Sequence, residues 1–291
     1  MPPVSAASLL CPVCRSRLSG GKARTLVCPA GHSFDAAKQG YFNFLVGKGT
    51  VFEADGADMV AARFEFLAAG HYRPLADAVA EVSALALAAR QGAGHGSTAT
   101  VLDAGTGTGQ YLRALLDRTV RDSTPAVAIG LDISKFALRR AAKLNPEALN
   151  LVSDVWQPLP VADAAVDVVT VVFAPRNASE FARVLRPGGR LVVVTPRPGH
   201  LAEVAARTGM LGIEPAKDER LAASLAAHFT VLSGRDLDVP LALSPADVAR
   251  LALMGPAGHH LDRGKLSALA AGLPPVTDVS ARFRISVFEP R

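Results

Sequence analysis

The residues best suited to chemistry fall into two groups, and each has a spacing that narrows what it can do. The first is Cys11-Pro-Val-Cys14 followed by Cys28-Pro-Ala-Gly-His32. Two ligands from each of two tight turns, brought together by a hairpin, make a tetrahedral set of three thiolates and one imidazole, which zinc favours in structural sites. Four protein ligands leave no open position for a reacting molecule, so such a metal supplies folding energy to a segment too small to bury its own core. The second group lies in Val101–Gln110 (V-L-D-A-G-T-G-T-G-Q), where Asp103 precedes Gly105, Gly107 and Gly109. Glycines at this spacing let backbone approach a ligand where a Cβ would intrude. Two more acids follow. Asp132 closes the next apolar run, where it can accept hydrogen bonds from ribose hydroxyls, and Asp154 closes the one after, where it can accept from an adenine amino group.

These groups need rigid elements behind them. Thr98–Leu102 reads as an apolar strand, and Tyr111–Arg118 resumes a helical pattern with Leu112, Leu115 and Leu116 on one side. Strand, glycine turn and helix form the first unit of a doubly wound nucleotide fold. A dinucleotide fingerprint would want its last glycine where Gln110 stands. Ala126–Leu131 predicts a second strand and Ser134–Leu144 a helix with Ser134 as N-cap. Asn150–Ser153 is a third strand, and Val166–Phe173 is too β-branched for anything but a fourth. Glu180–Leu185 predicts a helix stopped by the glycines of Arg186-Pro-Gly-Gly189, and Arg190–Val194 a fifth strand. Thr230–Leu237 and Ala281–Phe288 alternate as closing strands, with helices around Ala246–Met254 and Lys265–Ala271 between them. Such alternation implies a parallel sheet covered on both faces.

Ahead of this fold, Asp58–Leu67 and Leu75–Arg90 predict two helices separated by Ala69–Pro74, with Gln91–Thr98 as a loop into the first strand. The expected division is a metal-binding module over residues 1–48 and a larger domain over 49–291, with a helical lead-in at 55–96. Phe34, Tyr41, Phe42 and Phe44 are expected to form mostly the module's core and its seam with the next domain. Stacking on unpaired bases is their alternative use.

Composition excludes several classes. Hydrophobic residues make up 49% and charged residues 20%, as in an ordinary globular protein. Ala84–Ala89 is apolar but short and ends at Arg90, so no membrane span is expected. Met1–Leu10 carries no basic segment before its apolar patch, which argues against a secretory signal and leaves the cytoplasm as the expected location. The whole net charge of +5 lies in residues 1–50, where Arg15, Arg17, Lys22, Arg24, Lys38 and Lys48 face only Asp35. A basic module on a neutral body is suited to meeting phosphates.

The Asp103-x-Gly-x-Gly-x-Gly order resembles motif I of the S-adenosylmethionine-dependent methyltransferases, in which the acid suits the cofactor's ammonium group. With Asp132, Asp154 and the Arg186–Gly189 turn, residues 97–291 resemble a class I methyltransferase, a Rossmann-like doubly wound α/β sheet. The combination with the small N-terminal zinc-binding module is similar to the zinc-containing 23S ribosomal RNA guanine-N1 methyltransferases. The matching stretches are Cys11–Cys14, Cys28–His32, Phe34–Lys38 with Gly40-Tyr41, Ala69–Tyr72 with Pro74, Phe173–Pro175 and His200-Leu201. The resemblance implies S-adenosylmethionine and structural Zn2+ as cofactors, 23S rRNA as partner and a homodimer. It implies cofactor contacts at Tyr72, Thr108, Gly109, Gln110 and His200, beside Asp103, Gly105, Gly107, Asp132, Ile133, Asp154 and Val155. Phe173-Ala-Pro-Arg-Asn177 looks closer to the branch that confers tylosin-type macrolide resistance, which favours one guanine in a hairpin of domain II.

Guanine N1 lies on the Watson–Crick edge, so the base must be unpaired or turned out of its stack. Its proton must leave, and Asp35, His71, His200 and water are unranked acceptors. A small-molecule methyltransferase shares the cofactor half but leaves the basic module without a role. A non-catalytic zinc RNA-binding protein would not need an intact glycine and acid set, and a nicotinamide dehydrogenase is disfavoured by Gln110 and Asp103.

Overall fold

A computed structural model describes residues 8–21, 24–47, 50–92, 98–208 and 223–291. Residues 1–7, Lys22, Lys48 and 93–97 of the expected loop lie outside it. The chain begins with three short strands, β1 (Ser19–Gly20), β2 (Thr25–Val27) and β3 (Ser33–Asp35), which form an antiparallel sheet of their own. Next come β4 (Tyr41–Asn43) and two helices, α1 (Ala57–Ala68) and α2 (Arg73–Gly92). The alternating part follows as β5 (Ala99–Ala104), α3 (Gln110–Arg121), β6 (Ala126–Asp132), α4 (Lys135–Leu144), β7 (Leu149–Val152), β8 (Val166–Val172), α5 (Ala178–Val184) and β9 (Leu185–Pro196). The described elements end with α6 (Ala202–Thr208), β10 (Phe229–Leu243), α7 (Pro245–Met254), α8 (Arg263–Ala271) and β11 (Thr277–Pro290).

The large sheet has the order β10-β11-β9-β8-β5-β6-β7-β4. Strands β9 through β4 run parallel, while β11 and β10 are antiparallel additions at one edge. Chain progression reverses between β5 and β8, so a crevice opens at the carboxyl ends of these strands, where ligands of open α/β sheets bind. β5, β7 and β8 are buried at every position, which explains why apolar residues dominate them, with Thr100, Asp103, Asn150, Asp167 and Thr170 as buried polar exceptions. Ser134 caps α4 by accepting from Ala137 N.

The N-terminal segment is joined to the body in three ways. β4 pairs with β7 as the edge strand of the large sheet, Leu9 bridges to Val161, and Arg15 Nη1 donates to Pro158 and Leu159 carbonyls at 3.2 and 2.9 Å. Leu9, Leu18, Leu26, Phe42 and Phe44 share one apolar cluster with Ile129, Leu151, Val166 and Phe181. Phe42 and Phe44 are therefore core, with Phe34 packed against them.

One expectation is corrected. Arg186-Pro-Gly-Gly189 does not stop a helix, because α5 ends at Val184 and the four residues form a bulge within β9. Leu185 pairs with Val166, and regular pairing resumes at Arg190 opposite Val168. The bulge is fixed by Arg186, whose Nη1 lies 2.5 Å from Oδ2 of buried Asp167 near the start of β8. A Cβ at Gly189 would stand 2.9 Å from the Arg186 carbonyl oxygen and 3.0 Å from that of Asp167, so the bulge needs glycine there.

Candidate functional site

The turn from β5 to α3 places its glycines at φ of 81° (Gly105), 55° (Gly107) and 89° (Gly109), a region that side chains rarely adopt. Each glycine meets a different neighbour. A Cβ at Gly105 would lie 2.2 Å from Ala174 Cβ, so the loop after β8 rests directly on this turn. A Cβ at Gly109 would lie 2.6 Å from Asn145 Nδ2, which itself donates to Gly109 O. Beside Gly107 the nearest atom, Arg63 Cδ, is 3.8 Å away, so here the backbone borders open space.

Three acids stand at the adjacent strand ends. Asp103, 2% exposed, accepts from the Thr170 hydroxyl at 2.7 Å through Oδ1. Its Oδ2 is buried and finds no partner among the described residues. Burial raises its carboxyl pKa to about 6, against the lowering effects of the nearby Thr170 and Thr106 hydroxyls. Asp132 accepts from Gly107 N at 2.9 Å and from Ser134 N at 2.8 Å, while burial still holds its carboxyl above the usual range. Asp154 accepts from Trp156 N at 2.9 Å and from the Thr50 hydroxyl at 2.8 Å. Ile133 is half-buried and Val155 buried. Thr108 donates its hydroxyl to Gln110 Oε1 at the start of α3.

Phe283 of β11 gathers the remaining expected residues. Its ring lies 5.0 Å from Tyr72, 5.0 Å from His200 and 5.7 Å from Phe173. Tyr72 is buried, which pushes its phenol well above the usual range. His200 Nδ1 lies 3.0 Å from both the amide nitrogen and the carbonyl oxygen of Arg282. Burial lowers its pKa to about 4, so the ring is neutral at pH 7 and a poor proton acceptor. Asp35 is engaged with Thr25 in the small sheet, and His71 packs 4.6 Å from Phe66 with Nε2 3.5 Å from Asp247.

Two features of the crevice go beyond the sequence reading, the conformation of Phe173 and the presence of Arg63. Phe173 has φ of 56°, a strained conformation for an aromatic residue, and is 43% exposed just past β8. Arg63 of α1 overhangs Gly107, held by Asp55 and by Met254 O at 2.8 Å.

The Cys and His residues form a separate cluster in the N-terminal sheet. Cys14 and Cys28 Sγ are 3.6 Å apart, and His32 Nδ1 lies 3.6 Å from Cys11 Sγ and 3.3 Å from Cys28 Sγ. All four ligand atoms lie within 4.8 Å of one another. The edges of a tetrahedron with ordinary Zn–S and Zn–N bonds are about 3.5–3.8 Å, so the set is close to a zinc site and small side-chain shifts complete it. The crevice likewise fits S-adenosylmethionine: an orphaned buried carboxylate oxygen suits a cation, and the backbone at Gly107 borders open space. No described helix is long and apolar enough to cross a membrane.

Comparison with known proteins agrees with both halves. Residues 9–46 match the family described as RlmA, N-terminal, a zinc ribbon, and residues 101–189 match a methyltransferase domain family. The chain is 46% identical over 291 residues to a Micromonospora griseorubida protein provisionally named a 23S rRNA (guanine-N(1)-)-methyltransferase, covering 97% of each. It is 42% identical over 282 residues to the 23S rRNA (guanine(748)-N(1))-methyltransferase of Streptomyces fradiae, covering 97% of this chain and 96% of that one. Among solved structures, loganic acid methyltransferase with SAH matches with a TM-score of 0.54 and 11% identity, covering 77% of this chain and 95% of that one, a likeness of fold alone. The ribbon, the glycine turn and the nearly full-length matches together mean that this chain is an S-adenosylmethionine-dependent enzyme belonging to the zinc-containing 23S rRNA guanine-N1 methyltransferase family.

Proposed function

We propose that this protein transfers a methyl group from S-adenosylmethionine to N1 of one guanine in 23S rRNA, the nucleotide for which the Streptomyces fradiae relative is named, and so confers tylosin-type macrolide resistance. It would act in the cytoplasm as a homodimer. The observation that carries the reading is the union, in one continuous core, of a Cys3His ribbon and a methyltransferase crevice along a chain that matches guanine-N1 methyltransferases over nearly its full length.

The cofactor supplies a methyl group already activated on a sulfonium. This chain's residues then have the tasks of binding and positioning. Asp103 Oδ2 would receive the ammonium of the cofactor, Arg63 its carboxylate, Asp132 the ribose hydroxyls and Asp154 the adenine amino group. Ile133, Val155, Tyr72, His200 and residues 105–110 would line the rest of the pocket. Thr50 now holds one oxygen of Asp154, so adenine would share or displace that hydrogen bond. The loop Phe173–Pro175, braced on Gly105, is suited to border the target base. The N1 proton passes to water, since His200 is a weak base, Asp35 accepts from Thr25 in the small sheet and His71 is packed against Phe66 beside Asp247.

The test is to incubate the protein with labelled S-adenosylmethionine and either 23S rRNA or an extract of small metabolites. Label in one guanine of the RNA is expected. Label confined to a metabolite would favour the small-molecule reading instead.

A further inference from the structure

Twelve phenylalanines, three tyrosines and one tryptophan are the chain's aromatic complement, and all lie within the described residues. Three of these rings are exposed: Phe52 at 48%, Trp156 at 47% and Phe173 at 43%. Trp156 and Phe173 follow the carboxyl ends of β7 and β8, and Phe52, which follows β4, lies against Trp156, while the N-terminal aromatics that sequence offered as stacking faces are buried or packed on the core. Large rings left in water at one place mark a surface that meets a partner.

Phe52 and Trp156 form a pair, with ring centroids 6.3 Å apart and planes inclined by 34°. One buried carboxylate sets both. Asp154 accepts from Trp156 N at 2.9 Å and from the Thr50 hydroxyl at 2.8 Å, and that hydroxyl in turn accepts from Phe52 N at 3.1 Å. The pair is therefore held as a unit at the pocket's edge, outside the carboxylate.

Its neighbours indicate the kind of partner. Immediately after Trp156, the carbonyls of Pro158, Leu159 and Pro160 receive Arg15 and Leu10 of the ribbon, and residues 1–50 carry all of the chain's net positive charge. On the other side, Asn177 Nδ2 donates to Val155 O at 3.0 Å and joins the Trp156 segment to the loop of Phe173. The rings thus stand between a basic module and the methyl-transfer crevice. We propose that Phe52 and Trp156 are a stacking platform for an unpaired RNA base that flanks the target guanine. This rests on the RNA-methyltransferase reading above. Stacking is tolerant of base identity, so the platform holds the strand in place while the guanine enters beside Phe173.

Trp156 is the chain's single tryptophan, so its fluorescence reports the platform directly. The probe is an RNA hairpin of 23S domain II that contains the target guanine, titrated into the full-length zinc protein with and without S-adenosylhomocysteine. RNA should quench Trp156, and S-adenosylhomocysteine alone should not. Trp156→Ala should weaken RNA binding by about 5- to 150-fold, the range for removal of one base stack, with unchanged S-adenosylhomocysteine affinity, and Trp156→Phe should recover most of the loss. A hairpin with an abasic flanking nucleotide should bind wild type and Trp156→Ala equally. Quenching by S-adenosylhomocysteine alone, with matching loss of its affinity in Trp156→Ala, would assign the rings to the cofactor's adenine and overturn the proposal. Wild-type methylation of RNA with an unchanged KM in Trp156→Ala would overturn it while leaving the proposed function intact. A wild type that neither binds nor methylates RNA would remove both.

Discussion

Asp103→Asn alters one atom of the buried carboxylate and separates two effects that the wild-type side chain couples. Burial raises this carboxyl from 3.8 to about 6 in the folded protein. At about 1.4 kcal/mol per pKa unit, the ionised group costs the folded state about 3 kcal/mol at neutral pH. A carboxyl whose folded pKa lies above its unfolded value binds its proton more tightly when folded. Wild-type stability should therefore fall as pH climbs from about 4 to about 6, and the asparagine variant should lack that decline. Any constant cost of burying the amide cancels in this comparison, so the gap between the two curves should shift by about 3 kcal/mol in favour of the variant. Denaturant titrations across pH, followed by Trp156 fluorescence, measure it. Cofactor binding should move the opposite way. The variant replaces an acceptor for an ammonium by an N–H donor, and loss of one charge-assisted hydrogen bond corresponds to a rise in Kd of about 10- to 150-fold for S-adenosylhomocysteine. Wild-type affinity should also weaken below pH 6, by at most about tenfold per pH unit. Parallel stability curves, or equal affinity of the two proteins by calorimetry, would refute the assignment of Asp103 Oδ2 as the ammonium site.

Three further outcomes follow from the same geometry. Arg186→Ala removes the guanidinium beside the buried Asp167 carboxyl, and equilibrium unfolding should show a loss of about 3 kcal/mol. Elemental analysis should find about one zinc per chain. Its removal by a chelator should abolish RNA methylation and also lower the thermal midpoint of the whole protein, because the ribbon shares its apolar core with the large sheet. A midpoint unchanged by the chelator would mean that the ribbon is not integral to the fold. Replacing Lys22, Arg24 and Lys38 by alanine should flatten the dependence of RNA affinity on salt by about 0.7–0.9 for each phosphate no longer neutralised. An identical slope would place the phosphate-binding surface elsewhere. Arg15 is left out of that set because it already holds the ribbon to the Pro158 and Leu159 carbonyls.

The parts legible in sequence were those whose chemistry is local. Gly105, Gly107 and Gly109 are dictated by φ values of their own turn, and the Cys11–His32 spacing by two tight turns that a single hairpin brings together. Strands β5 and β8 announced themselves because burial on both faces leaves them dominated by β-branched and apolar residues. What was not legible depends on partners distant in the chain. Arg186–Gly189 has the same residues as a helix stop and is a strand bulge only because Asp167, on the neighbouring strand, holds Arg186. β4 is three residues long and exists because β7 offers an edge. Asp167 drew no notice within the Val166–Phe173 strand, and its role appears only with Arg186 and Thr100 N in place. Nothing local distinguishes Trp156 and Phe52, left in water, from Phe42 and Phe44, which lie beneath the ribbon.

The central claim is that the crevice beside Asp103 methylates guanine N1 in RNA presented by the ribbon. It is tested most directly by treating unmethylated 23S rRNA with the purified zinc protein and S-adenosylmethionine, then mapping the product by reverse transcription and nucleoside mass spectrometry. A single stop at one domain II guanine is expected, recovered as 1-methylguanosine and absent when Asp103→Asn replaces wild type at limiting cofactor. A methyl group found on another atom or another nucleotide, or an RNA left unmodified by a protein that binds both zinc and S-adenosylmethionine, would contradict it.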